Sequence, residues 1–379
     1  MKYTFDYISK QLREIIEPAT RQPHKFDAVL GYRSFHNAYV APYVGWTKSI
    51  GCIIDADGQE VKDSECIEWK EDATFFNTND SLEEHKKVVF LGFLLTGFGH
   101  SYTDDLRKLW FLKTEEYKSL LQNGYEVVYT TSWNRPIPRP VMDIISLAGF
   151  DLNKARHVTR LTRFDDIIIP DNCFKSTPSG RIYSQEYAEM IDRIKQAVPS
   201  SKGGCSKIYF TRASFTSNSK KEYGEHEIER VFERIGYKIV VPEAYSVVEQ
   251  IQMVRNCTHF ASSEGSVSHL SLFCQPGTEV VIINKASYLN FHQVLINEFA
   301  DLNVTYIEAN HSSRVNPEYP WWGPFYFYVN RYMEAFVKHP IPHLPYWLKF
   351  SYWEYTRNVL YRIYNRTRKA IKWGRSSRS

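Results

Sequence analysis

From residue 207 onward the chain alternates strand-like and helix-like segments, and this alternation limits its possible folds more than any other feature. KIYFTR (207–212) reads as a strand. GEHEIERVFERIG (224–236) reads as a helix with an apolar face at Ile228, Val231, Phe232 and Ile235 and a closing glycine. YKIVVP is again strand-like. Ser246-Val-Val-Glu249 forms a capping box that opens a helix to about Asn256. THFASS (258–263) predicts a strand, 265–273 a short helix, Gln275-Pro-Gly-Thr a stop and EVVIIN a further strand. Repeated β–α–β units imply a parallel sheet with helices on both faces, hence an α/β fold.

The first half carries a weaker version of the same pattern. VVFLGF (from 88) and YEVVYTT (125–131) read as strands. A helix is predicted from about Asp104 to Leu112, a second one running to Gly124, and another over 140–149 that ends at a glycine. RHVTRLT and DIIIP look like short strands, and SIGCIIDADGQEV (49–61) a hairpin with Asp-Gly at its turn. The rest of the first 80 residues shows no clear pattern. At 379 residues the chain is too long for one typical core, so two domains are expected. The boundary is sought among the loosely composed stretches KSTPSGR and PSSKGGCSK, which flank helix-like QEYAEMIDRIKQAV.

Composition excludes several function classes. The longest apolar run, VVFLGFLLTGF (88–98), contains two glycines and is far shorter than the roughly 20 residues that cross a bilayer. The charged N-terminus lacks the apolar centre of a signal peptide, so the chain is expected in the cytosol, where sequons such as Asn303-Val-Thr and Asn365-Arg-Thr are chance. Its six cysteines form no C-x-x-C pair, which argues against a zinc cage and a disulfide scaffold. From Arg331 to the end, eleven Lys/Arg face two Glu, a net +9. The remaining residues therefore sit near −5 within a chain of net +4. The basic character belongs to the tail and does not mark a nucleic-acid binder.

The stretch SSEGSVSHLSLF (262–273) falls between a predicted strand and a predicted helix. In doubly wound sheets this carboxyl-edge turn is where ligands bind, and helix N–H groups there attract anions. Small residues are common at such turns, so the pattern reads equally as an ordinary strand-to-helix connection.

The order of these features resembles glycosyltransferase family 61. The carrying positions are Ile208 to Arg212, Gly224-Glu225-His226-Glu227, and Val241-Pro242-Glu243 followed by Ser246, Glu249 and Gln250. They continue with Glu264-Gly265-Ser266 and with Phe273 and Pro276-Gly277. GFGHSYTDDLRKLWFL (97–112) resembles the family's N-terminal motif through Gly99, His100, Asp104, Arg107, Leu109 and Trp110. The resemblance covers roughly 88 to 285. Departures from the pattern are Glu264 where the family has histidine, Gly224-Glu225 where it has Asn-Glu, and Ala213 after Arg212 where it has a second arginine; they suggest a divergent, bacterial branch.

The resemblance implies a GT-B architecture, two Rossmann-like domains facing across a cleft. Residues 1–185 would form the acceptor-side domain and 186–325 the nucleotide-sugar-binding domain. Residues 326–379 would be helices that cross back to the first domain and end in a basic tail. It further implies inverting, metal-independent transfer of a hexose or pentose from a nucleotide sugar, mostly uridine-linked, with no cofactor. The acceptor would be a growing surface glycan such as capsule or O-antigen. An alternative is a non-catalytic sugar-nucleotide or polysaccharide binding subunit of an assembly complex.

Inverting transfer needs a base for the acceptor hydroxyl and positive groups for the departing diphosphate. His100 and Asp104 are the base candidates, with Asp105 a weaker one; Asp104 reads equally as a helix-start carboxylate and His100 as a structural histidine. Arg212, Gly265, Ser266 and Ser268 are expected at the donor phosphates. Glu249 would meet the ribose, unless it only completes the capping box. Glu264 would repel a diphosphate, so it is expected to face ribose, sugar or a protein cation. His269 points either at the donor or into helix packing. No metal ligands are expected: Asp55-Ala-Asp57-Gly58 has the D-x-D pattern of a metal site but reads as a hairpin turn. The aromatic and basic segment 345–379 is expected to rest on the anionic inner face of the cell membrane, or to pack its aromatics on the protein.

Overall fold

In the computed structural model, residues 1–43, 51–64, 81–199, 203–215, 221–311, 323–340 and 350–376 are described, with the side chains of 350, 351 and 369–376 left out. The chain opens with strand β1 (Lys2–Tyr7) and helix α1 (Lys10–Ile16). It then divides into a unit of residues 23–200 and a unit of residues 201–379 that also claims residues 1–22.

The first unit contains β2 (Tyr32–Ala41), β3 (Cys52–Ile54), β4 (Leu82–Leu94), α2 (Glu115–Gln122), β5 (Glu126–Thr131), α3 (Arg139–Leu147), β6 (Ala155–His157), β7 (Thr162–Pro170), β8 (Phe174–Thr177), β9 (Gly180–Tyr183) and α4 (Gln185–Ala197). Its main sheet is mixed, in the order β3-β2-β7-β4-β5-β6. The strands β7, β4, β5 and β6 run parallel, and β2 lies antiparallel to both β3 and β7. One face buries Val40, Val88, Phe90, Val128, Phe164, Ile167 and Ile169, and the other packs Val89 and Ile168 on Phe111. The KSTPSGR stretch, expected as a loop, forms the β8–β9 hairpin. RHVTRLT and DIIIP, read as two short strands, become β6 and one long β7, since Thr162 to Pro170 pairs along nearly all of β2.

The second unit contains β10 (Lys207–Phe210), β11 (Glu222–Tyr223), α5 (Glu225–Arg234), β12 (Lys238–Val240), α6 (Val247–Asn256), β13 (His259–Ser263), β14 (Glu279–Asn284), α7 (Phe291–Phe299), β15 (Asn303–Glu308), β16 (Phe325–Tyr326), α8 (Arg331–Val337) and α9 (Phe350–Ser376). Its main sheet, in the order β1-β15-β14-β13-β10-β12, is parallel throughout. One face packs Tyr209, Ala261, Val281, Ile283 and Ile307 on Ile228, Val231 and Phe232 of α5 and Met333 of α8. The alternate residues Phe210, Phe260, Val280, Ile282 and Val304 are buried as well, as a sheet covered on both faces requires. The predicted capping box is formed, with Glu249 N–H on Ser246 Oγ and the Glu249 carboxylate on Ser246 N–H.

The described chain differs from the expected layout at three points. β1 pairs with β15, and Tyr3 and Phe5 stack on Tyr306, so the N-terminus is counted with the later sheet rather than with residues 23–185. Helix α4 belongs to the first unit, where buried Tyr187 donates to the Tyr102 carbonyl at 2.7 Å and packs on Phe174; the division thus falls at 200 rather than 185. Helix α9 is counted with residues 201–379, not with the first domain. It lays Tyr352 and Tyr355 against Tyr326 and Tyr223.

Candidate functional site

In the first unit the carboxyl end of β4 leads into a run of 3₁₀ turns at 98–100, 104–106 and 109–113, where a continuous helix over 104–112 was expected. Thr103 breaks the helical path with φ −123° and ψ −97°. The side chains around it then bond to backbone. Arg107 Nε donates to the Asp104 carbonyl at 2.8 Å, and Leu95 N–H donates to Asp105 Oδ1 at 2.7 Å. Polar side chains that compete for main-chain groups in this way disfavour regular helix.

This irregular run brings His100 and Asp104 together, with Nδ1 2.7 Å from Oδ2. The same oxygen accepts the Thr103 hydroxyl at 3.0 Å, and Arg107 lies 3.7 Å from Oδ1. Asp104 is buried, whereas the His100 side chain is 43% exposed. A carboxylate only accepts, so Nδ1 carries the hydrogen and Nε2 of the neutral ring carries the lone pair. Burial pulls the imidazole pKa down, but the charge and hydrogen bond of Asp104, with help from Asp105, outweigh it and leave the value raised. The pair therefore has the form of a base and its orienting acid. Asp105 is buried, and desolvation pushes its carboxyl up to about 7. Its contact with Leu95 makes it a strut of the loop.

In the second unit the carboxyl ends of β10, β13 and β14 converge on a polar cluster. Arg212 follows β10, Glu264 and Gly265 follow β13, and Lys285 follows β14. Lys285 Nζ forms a very short ion pair with Glu222, and Arg212 lies 3.6 Å from the same carboxylate oxygen. Arg212 N–H donates to Glu225 at 3.2 Å, and Tyr209 donates to that carboxyl at 2.8 Å. Gly265 has φ +128°, and a Cβ there would stand 2.9 Å from Lys285 Nζ. The backbone conformation thus calls for glycine, and a side chain there would press on the end of the lysine.

Glu264 is buried, and desolvation pushes its carboxyl up to about 8 against the lowering pull of Lys285 and of hydrogen bonds from Asn284 and the Lys285 backbone. Of the three surroundings expected for it, the structure shows the neighbourhood of a protein cation.

The remaining candidates are placed differently. Ser268 is fully buried; its hydroxyl donates to Gln293 Oε1 at 2.6 Å and accepts Gly265 N–H at 3.0 Å, so it braces the turn. His269 is buried against Asn290, 3.2 Å away, and against the His292 ring. Ser266 lies half-buried on the turn itself. The predicted short helix over 265–273 is a turn followed by 3₁₀ structure from Ser268 to Phe273. Glu249 is exposed and turned back on Ser246, with both its backbone N–H and hydroxyl at 2.7 Å. Asp55 accepts the N–H groups of Asp57 and Gln59 on one oxygen, and Gly58 has φ +80°; this is a tight turn.

Sequence reasoning missed Glu222, Lys285, Asn284 and Asn310. Lys285 was within its reach, as the first residue after a predicted parallel strand; the other three carry no local signal. Asn310 joins the cluster by donating to the Asn284 carbonyl at 3.0 Å.

Residues 98–281, which hold both base candidates and most of this cluster, match the family Glycosyltransferase 61. No curated protein matches the chain. Residues 98–281 are thus a glycosyltransferase family 61 segment, and the match supports reading the chain as a glycosyltransferase.

Proposed function

We propose that the protein is an inverting GT-B glycosyltransferase that moves a sugar from a nucleotide sugar, with a uridine diphosphate sugar favoured, to a growing bacterial surface glycan such as capsule or O-antigen. The observation that carries this reading is the His100–Asp104 pair at the carboxyl end of β4, inside the family-matched segment. His100 Nε2 takes the proton of the acceptor hydroxyl while Asp104 holds the ring and stabilises the imidazolium. The hydroxyl oxygen bonds to the anomeric carbon as the bond to the nucleotide diphosphate breaks on the opposite face. The diphosphate leaves with its own electron pair and is stabilised by Arg212 and Lys285 in place of a metal.

The tail supports a working position at an anionic membrane surface on the cytoplasmic side. No helix among the described residues is long and apolar enough to cross a membrane. Helix α9 buries one side: Glu354 accepts Gly224 N–H at 2.7 Å, and Asn358 accepts the Tyr223 hydroxyl at 3.2 Å. Trp353, Leu360 and Tyr364 share another side and are exposed, with Arg357 and Arg368 beside them. Aromatic and aliphatic side chains flanked by arginines suit the headgroup layer of anionic lipid.

The reading is tested by nucleotide release from a panel of nucleotide sugars with and without chelator. Activity that survives chelation is expected; activity lost with the metal would overturn the metal-free part.

A further inference from the structure

The second unit places a largely buried carboxylate between two cations at the edge of the sheet where an anionic ligand is expected. Glu222 opens the two-residue strand β11, whose ladder to β16 consists of Glu222 opposite Phe325 and Tyr223 opposite Tyr326. Its Oε1 takes both Lys285 Nζ and Arg212. The side chains of Lys285 and Glu222 are only 7% and 11% exposed. One largely buried carboxylate therefore faces two cations drawn from different strand ends, with the more exposed Glu243 a second partner of Arg212 at 3.9 Å, and much of the charge is out of water, where an unmatched charge is costly.

A second set of observations points to a missing polar ligand. Arg212 Nε, Ser262 Oγ, Ser263 Oγ, Asn284 Oδ1 and Asn310 Oδ1 are buried without a hydrogen-bond partner among the described residues. All five belong to the carboxyl ends of β10, β13 and β14 or to the loop after β15. Buried polar groups are nearly always satisfied, so a concentration of orphans at one sheet edge calls for an occupant. Glu225 and Glu264, the nearest buried carboxyls, are pushed up to about 7 and about 8 by desolvation, and Glu243, the other partner of Arg212, is 39% exposed, so Glu222 is the least exposed carboxylate in an ion pair with the two cations.

We propose that Glu222 is an internal stand-in for a diphosphate: it occupies the Arg212–Lys285 cation pair in the free protein and is expelled when a nucleoside diphosphate binds there. This deepens the reading of the protein as a nucleotide-sugar transferase and rests on it. A diphosphate brings more charge and more acceptor oxygens than one carboxylate, and it engages the guanidinium fork and the ammonium together. The short β11 ladder lets Glu222 swing away at the loss of few backbone bonds, while Glu354 of α9 pins the adjoining Gly224. Gly265 keeps the lysine's position open.

Calorimetric titration of the full chain with UDP and with uridine tests the exchange. Glu222→Gln is expected to tighten UDP about fivefold or more, Lys285→Met to weaken it about tenfold or more, and neither to change uridine binding beyond about twofold. Adding Glu222→Gln to Lys285→Met should restore little. If Glu222→Gln does not fold, Glu222→Asp, which withdraws the carboxylate from Lys285, is read with the same expectation. UDP affinity that is unchanged or weaker in the Glu222 variant, or that shifts together with uridine, overturns the exchange. A wild type that binds uridine, guanosine or cytidine diphosphates not at all overturns the donor reading itself, and with it this proposal.

Discussion

His100 Nδ1 stands 2.7 Å from Asp104 Oδ2, so the two residues divide one task, with His100 meeting the acceptor and Asp104 meeting His100. His100→Ala is expected to lower kcat by about 10²–10⁴-fold, the usual worth of a general base. Asp104→Asn should also lower kcat while leaving donor KM nearly unchanged. Steady-state kinetics with a fixed acceptor checks both. A full-rate His100 variant with an inactive Asp104 variant would reverse the assignment.

The same pair sets a pH dependence. Transfer needs neutral His100, so kcat should rise with pH and level off above an inflection lying higher than the ordinary imidazole value of about 6.5, because Asp104 raises it. In Asp104→Asn the inflection should move down. A wild-type inflection that the Asp104 substitution leaves in place would mean that another group is titrating.

Gly265→Ala places a Cβ at φ +128° and 2.9 Å from Lys285 Nζ. Backbone strain of this kind costs about 1–3 kcal/mol. Because the lysine end can move, the clash should show as displaced Lys285. Loss of UDP affinity beyond the fall in melting temperature is the expected result, read by calorimetry beside a thermal melt.

Glu264 makes stability depend on pH. Burial pushes its carboxyl up from the ordinary 4.5 of the unfolded chain to about 8 in the folded one. Its raised folded value favours folding fully below pH 4.5, and this contribution is lost as pH rises toward 8. Melting temperatures of the wild type should therefore fall relative to Glu264→Gln across that window. Parallel curves for the two proteins would show that Glu264 is not held as the acid.

Trp353, Leu360 and Tyr364 are exposed on one side of α9. Replacing Trp353 and Leu360 by serine should leave melting unchanged, as surface substitutions do. It should reduce binding to phosphatidylserine vesicles by about tenfold or more, since each large side chain is worth about 1.5–3 kcal/mol when buried in lipid. Vesicle sedimentation at two salt concentrations separates this apolar part from the arginine contribution. Unchanged sedimentation would remove the membrane role.

Local signals carried much of the second unit. The capping box at Ser246 and Glu249, the Asp55–Gly58 turn and the strands from KIYFTR to EVVIIN all appear near their expected places, because each is decided by residues within one or two turns of chain. Long-range pairings were not readable. β1 joins β15 some 300 residues away through Tyr3, Phe5 and Tyr306, and Glu222 meets Lys285 across 63 residues. The helical pattern at 104–112 misled because Asp105 and Arg107 spend their side chains on backbone groups, a competition that periodicity does not register. Ser268 and His269 looked like ligand contacts by residue type; their burial depends on Gln293 and Asn290, which a local reading does not bring near.

Transfer of sugar from a nucleotide sugar, with His100 as base, is the reaction to be measured. Its most direct test is the rate of nucleotide release and glycan labelling from a panel of uridine, guanosine and cytidine diphosphate sugars, comparing wild type with His100→Ala on one membrane-derived acceptor preparation. Release and labelling are expected in step from one donor, and both fall by about 10²–10⁴-fold in the variant. Release and labelling at equal rates in both proteins would contradict it, and so would a wild type that turns over none of these donors.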